Sequence, residues 1–173
     1  MFLGGAQNER LQNVYYRKIS NMKVVGMVLA LVSLSLFAIA GNDDNAAIER
    51  AVKDYIESQH KVLPDMMARG LDPALAKRTY WLSKEGKEFI LESSYEDMVN
   101  LAGFYNENGD KFPSTPRIDI EIFDIDKRAA SVKLTADDWI DYMHLYKNEE
   151  GQWKIINVLW QFNEISEHSS KKG

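Results

Sequence analysis

The sequence predicts an α+β domain, with helices packed on one face of a curved antiparallel sheet. Three observations predict it. Apolar residues recur at helical spacing early in the chain, strictly alternating runs fill its second half, and the linkers between those runs are short. Asp43 or Asp44 can cap a first helix running to about His60, with Ile48, Val52, Tyr55 and Ile56 on one stripe. Pro64 opens a short second helix that stops at Gly70, and Asp72-Pro73 restarts the chain in a loop. Arg78–Ser83 and Glu88–Ser93 read as a hairpin. Ser94 and Asp97 stand at capping-box spacing ahead of a helix that carries Met98, Leu101, Ala102 and Tyr105 and ends near Gly109.

The rest reads as a β meander. Ile118, Ile120 and Ile122 alternate with Asp119 and Glu121; Ala130, Val132 and Leu134 alternate with Ser131, Lys133 and Thr135. The last hairpin breaks the pattern. In WKIINVLWQF, Ile156, Val158, Trp160 and Phe162 fall on one face, and Trp153, Ile155 and Leu159 on the other. Its neighbour puts Met143 and Leu145 on one side and Ile140, Tyr142 and Tyr146 on the other. Helices can cover only one face, so the second face is expected to be covered by another copy of the chain in a two-fold homodimer.

The 173 residues contain no cysteine, which excludes thiol catalysis, disulfides and thiolate metal sites. A net charge of -5, with no basic run, gives no support to nucleic-acid binding. Lys23, an apolar run from Val24 to Phe37 and Ala38-Ile39-Ala40 before Gly41 have the order of a secretory signal. Residues 22–40 are therefore read as a signal peptide, and 1–21 as an upstream extension or a long signal n-region. The domain itself would span 41–164, with a flexible polar tail over 165–173. The protein is expected in the periplasm or secreted. If the segment is retained, it would instead be membrane-anchored and face the periplasm.

The stretches AIERAVKDYIES, DPALAKR and DYMHLYKNEEGQWKIINVLW resemble the nuclear transport factor 2-like superfamily, and within it the putative lumazine-binding branch. The resemblance covers about residues 46–162. It implies a cone-shaped domain with a pocket between the helices and the concave sheet, a small-molecule ligand and, commonly, a dimer. Enzymes of that superfamily place an Asp or a His in such a pocket as general base.

Asp141 and His144 are the candidate bases here, but strand alternation points them to opposite faces, against a dyad. A strand-end surface role for Asp141 is the simpler reading. Tyr55, Trp81 and Trp160 are expected to line one pocket, suited to a small apolar or aromatic ligand. Lys77-Arg78 reads as a solvated basic pair. Three scattered histidines give no zinc signature, and no cofactor motif is present. With no convincing catalytic constellation, small-molecule binding is preferred. The alternatives are a lyase or isomerase using Asp141 or His144, and a dimeric interaction module with a vestigial pocket.

Overall fold

A computed structural model describes residues 44–170. The expected signal peptide, its cleavage before Gly41, the upstream extension and the last three residues lie outside the described residues. Helix α1 spans 44–61, α2 Pro64–Gly70 and α3 Tyr95–Ala102. The strands are β1 Leu71–Leu82, β2 Glu88–Ser93, β3 Asp119–Asp126, β4 Ala129–Thr135, β5 Trp139–Lys147 and β6 Trp153–Phe162. They form one sheet in the order β2-β1-β6-β5-β4-β3.

The α+β class and the final meander are as the sequence predicts, but the sheet is mixed. β1 pairs β6 in parallel, while the other neighbours are antiparallel. The chain enters β1 straight from α2, so β1 runs alongside the last strand rather than back against it. Asp72-Pro73 lies inside β1, not in a separate loop. There Asp72 Oδ1 accepts from the Ala74 amide at 2.8 Å, and pairing with β6 is interrupted between Leu71 and Ala76.

Local chemistry accounts for the helices. The stripe Ile48, Val52, Tyr55, Ile56 is fully buried. Asp44 accepts from Lys147 Nζ at 2.6 Å and Trp153 Nε1 at 2.9 Å, tying the start of α1 to the β5–β6 hairpin. Lys147, then Trp153, holds its carboxyl below the ordinary carboxylate value. Arg69 clamps α2 to α1 through two 2.7 Å bonds to Asp54. Gly70 lets the two helices touch: a Cβ there would stand 2.7 Å from the Ala51 carbonyl oxygen. The Ser94–Asp97 capping box forms as expected, but α3 ends at Ala102, before Gly109.

A bulge in β6 changes the reading of its faces. His144 pairs Asn157 but Leu145 pairs Ile155, leaving Ile156 as the extra residue. Parity flips there. Trp153 and Ile155 before it, and Val158, Trp160 and Phe162 after it, therefore share the helix side with Leu145, Met143, Asp141 and Trp139. The two-faced apolar strand expected from strict alternation is largely a one-faced strand with a bulge. What remains apolar on the outer face is smaller: Leu159 opposite Tyr142, with Phe123 stacked on Tyr142 at 6.5 Å.

The tail does not fray over its described part. A 3-10 turn at Ile165–Glu167 brings His168 under the sheet, and Ser169 bridges Leu82. His168 is 1% exposed and packs against Tyr80, Trp81, Trp160 and Phe162. Those rings supply the apolar contact that a polar sequence conceals.

Candidate ligand-binding site

On the helix side of the sheet, one row runs across three strands: Asp141 on β5, its cross-strand partner Trp160 on β6, and Thr79 on β1, whose hydroxyl donates to the Trp160 carbonyl at 2.6 Å. Lys77 lies two residues before Thr79 and Trp81 two after, so β1 alternation turns all three inward. Tyr55 descends onto this row from α1.

These residues form a buried polar cluster. Asp141 is wholly buried, and Lys77 is 8% exposed. The Lys77 ammonium donates to Asp141 Oδ1 at 3.2 Å and to the Tyr55 hydroxyl; Tyr55 donates to the same Oδ1 at 3.3 Å. Lys77 Nζ also stands 5.0 Å from the Trp160 ring centre and 5.1 Å from that of Tyr55. Among the described residues, Asp141 Oδ2 has no hydrogen-bond partner. Burial lowers the Lys77 pKa, against the opposing pull of Asp141, and burial, then Asp141, raises that of Tyr55 well above its ordinary value.

Beside the cluster, Trp81, Trp160 and Phe162 are half-buried, with ring centres 5.2–6.4 Å apart. Phe89 and Leu91 on β2 continue the same face, paired with Trp81 and Thr79, and are exposed. A charged floor thus meets an aromatic rim.

The expected residues are distributed unevenly. Tyr55, Trp81 and Trp160 share the helix side, but Tyr55 is fully buried and belongs to the floor. Asp141 is not a surface carboxylate. Its position between inward-facing Trp139 and Met143 buries it, and Lys77 makes that burial tolerable. Lys77 is correspondingly not a solvated cation. The signal that could have found it is parity with Leu75 and Trp81. His144 lies exposed on the outer face, 3.2 Å from Asn157 Nδ2, and is not brought together with Asp141.

Three of the clefts on the described residues lie elsewhere or only graze the site. One of about 300 Å3 reaches Lys77 beside Arg78, Glu92 and Ser94. One of about 340 Å3 adjoins His144, and one of about 540 Å3 is lined by His60, Asn106 and Phe112.

The family described as "Putative lumazine-binding" matches residues 43–161. The chain belongs to that family. Its match takes in every residue of the cluster and of the rim except Phe162. Two solved structures carry the same fold. A nuclear transport factor 2-like protein of unknown function from Silicibacter pomeroyi is 14% identical, with a TM-score of 0.57 over 71% of this chain and 98% of that one. Another, from Shewanella baltica, is 18% identical, with a TM-score of 0.53 over 70% and 95%. Among curated proteins, none matches. This member of the family described as putative lumazine-binding thus has the nuclear transport factor 2-like fold, of α+β class.

Proposed function

We propose that the protein is an exported small-molecule-binding protein. Its ligand is flat and largely apolar, seated against Trp81, Trp160 and Phe162 on the helix side of the sheet. The observation that carries this is the buried Tyr55–Lys77–Asp141 cluster with an unpartnered carboxylate oxygen. A buried ion pair is weak as a stabilising device, and a buried acceptor left unmade costs free energy. Such a group beside half-exposed rings fits recognition of a guest. The family's description points the same way.

Binding is favoured over catalysis because Lys77 and Tyr55 both bond to the same oxygen of Asp141, while His144 is on the other side of the sheet. Export rests on the signal-like order of residues 22–40. Among the described residues no helix is long and apolar enough to cross a membrane. Native mass spectrometry of protein taken from its own cells tests the reading. A bound compound of a few hundred daltons on a chain beginning at Gly41 is expected. A bare chain that still carries Val24–Ala40 contradicts both halves.

A homodimer is the companion proposal, supported by Phe123, Tyr142 and Leu159, which are 52%, 43% and 56% exposed on the outer face. Sedimentation should show a dimer that Tyr142→Glu shifts toward monomer; a parent that is monomeric at micromolar concentration overturns it.

A further inference from the structure

After β6 the chain doubles back. Asn163 is anchored to the backbone of Asp137 and Asp138, and the Ile165–Glu167 turn returns the chain to the strand ends. There it meets a fork. The parallel ladder of β1 and β6 runs through Lys77↔Val158 and stops at Arg78↔Leu159. Beyond that point the His168 ring bridges the two strands. The Phe162 amide donates to Nε2 at 2.6 Å, and Nδ1 donates to the Tyr80 carbonyl at 3.2 Å. The ring stacks on Tyr80 at 4.5 Å and lies 5.2–5.8 Å from the ring centres of Trp81, Trp160 and Phe162. The backbone beside it pairs with β1. The Leu82 amide donates to the His168 carbonyl and the Ser170 amide to the Leu82 carbonyl, each at 2.9 Å, and Trp81 Nε1 donates to the Ser170 hydroxyl at 3.2 Å.

We propose that residues 164–170 are an acid-released strap, latched by neutral His168, whose release uncovers the parts of Trp81, Trp160 and Phe162 that the imidazole covers. Given the binding function proposed above, acid then loosens the rim that seats the ligand. The strap itself does not depend on that function.

The latch needs an acceptor at Nε2, which only the neutral ring has. A second proton sets an N–H against the Phe162 N–H, donor to donor. It also places a charge on a side chain that is 1% exposed. The surroundings do not offset that. Tyr80 and Trp81 face the ring from β1, and Trp160 and Phe162 from β6. The carboxylate acting on it, Glu167, is exposed on its own turn and screened by solvent. Burial therefore outweighs the Tyr80 carbonyl and Glu167, and favours the neutral ring. The rest of the segment holds little. Ile165 is 68% exposed, and Ser166 and Glu167 are exposed, so the strap can open without taking the core with it.

Hydrogen exchange read by mass spectrometry on the intact, ligand-free protein tests this at about pH 8 and about pH 5, corrected for the intrinsic pH dependence of amide exchange. Protection over 164–170 and at Leu82 should fall about tenfold or more at the acid pH, while β4 and β5 keep theirs. His168→Gln offers Phe162 an acceptor and Tyr80 an N–H at either pH, so its protection should not change. Equal protection of the parent at both pH values overturns the strap. So does a loss shared by β4 and β5, which is global loosening, or a loss on acidification in His168→Gln equal to the parent's. If the variant does not latch at all, the parent's ring nitrogens followed by NMR over the same range decide: His168 must take up its proton as protection is lost, and a ring that stays neutral while the segment opens overturns the assignment. None of these outcomes bears on whether a small molecule binds.

Discussion

Replacing Lys77 by Met leaves Asp141 charged, buried and without its counterion. The pair is 3.2 Å apart, with side chains 9% and 0% exposed. At an effective dielectric near 20, two unit charges at that distance attract by about 5 kcal/mol. Removing one member of a buried pair costs about 3–5 kcal/mol, because the survivor keeps its desolvation penalty. That is a large share of the roughly 5–15 kcal/mol by which domains are stable. Asp141→Asn alone strands Lys77 and should cost a similar amount. The double variant Lys77→Met/Asp141→Asn strands no charge, and its amide oxygen can still accept from Tyr55. It should lie within about 1–2 kcal/mol of the parent. Urea unfolding followed by far-ultraviolet circular dichroism at neutral pH measures all four proteins. If Lys77→Met costs under about 1 kcal/mol, or the double variant costs the sum of the singles, the pair is not desolvated as described.

Other predictions follow from single contacts. Gly70→Ala forces a Cβ to 2.7 Å from the Ala51 carbonyl oxygen and 3.2 Å from Asp54 Cβ, so the melting temperature should drop, by about 1–3 kcal/mol of stability. Val62 holds φ at 56°, a costly conformation for a β-branched residue; Val62→Gly should stabilise by roughly 1 kcal/mol in the same unfolding assay. His168 accepts from the Phe162 amide at 2.6 Å through Nε2 and faces the Tyr80 carbonyl at 3.2 Å through Nδ1, so it is neutral with its proton on Nδ1. Burial lowers its pKa below the ordinary 6.5. The unfolded chain therefore takes up the proton first, and the stability His168 provides is full above pH 6.5 and is lost as pH falls below it. Thermal melts across that window should show a loss that His168→Gln lacks; identical slopes would refute the assignment.

The elements were legible wherever local chemistry decides them: the α1 stripe, Pro64 and Gly70 bounding α2, the Ser94–Asp97 box, and the alternating strands. What alternation cannot register is an inserted residue. Ile156 shifts parity within β6, and reading through it assigned Trp153 and Ile155 to a face they do not occupy. The parallel pairing of β1 with β6 was equally hidden, since it depends on how the chain leaves α2. At the site, the parity that makes Trp81 inward also makes Lys77 inward. Its charge, and that of Asp141, argued for solvent when each was taken alone. Two unlike charges on separate strands become plausible core residues only once their strands are brought together. His168 was missed for a related reason: its apolar partners are all distant in sequence.

The most direct test of the central claim is a crystal structure of the protein purified with whatever it carries. The account predicts ligand density lying against the Trp81, Trp160 and Phe162 rings on the helix side of the sheet. Density confined to the cleft lined by His60 and Phe112, with none against those three rings, would contradict it.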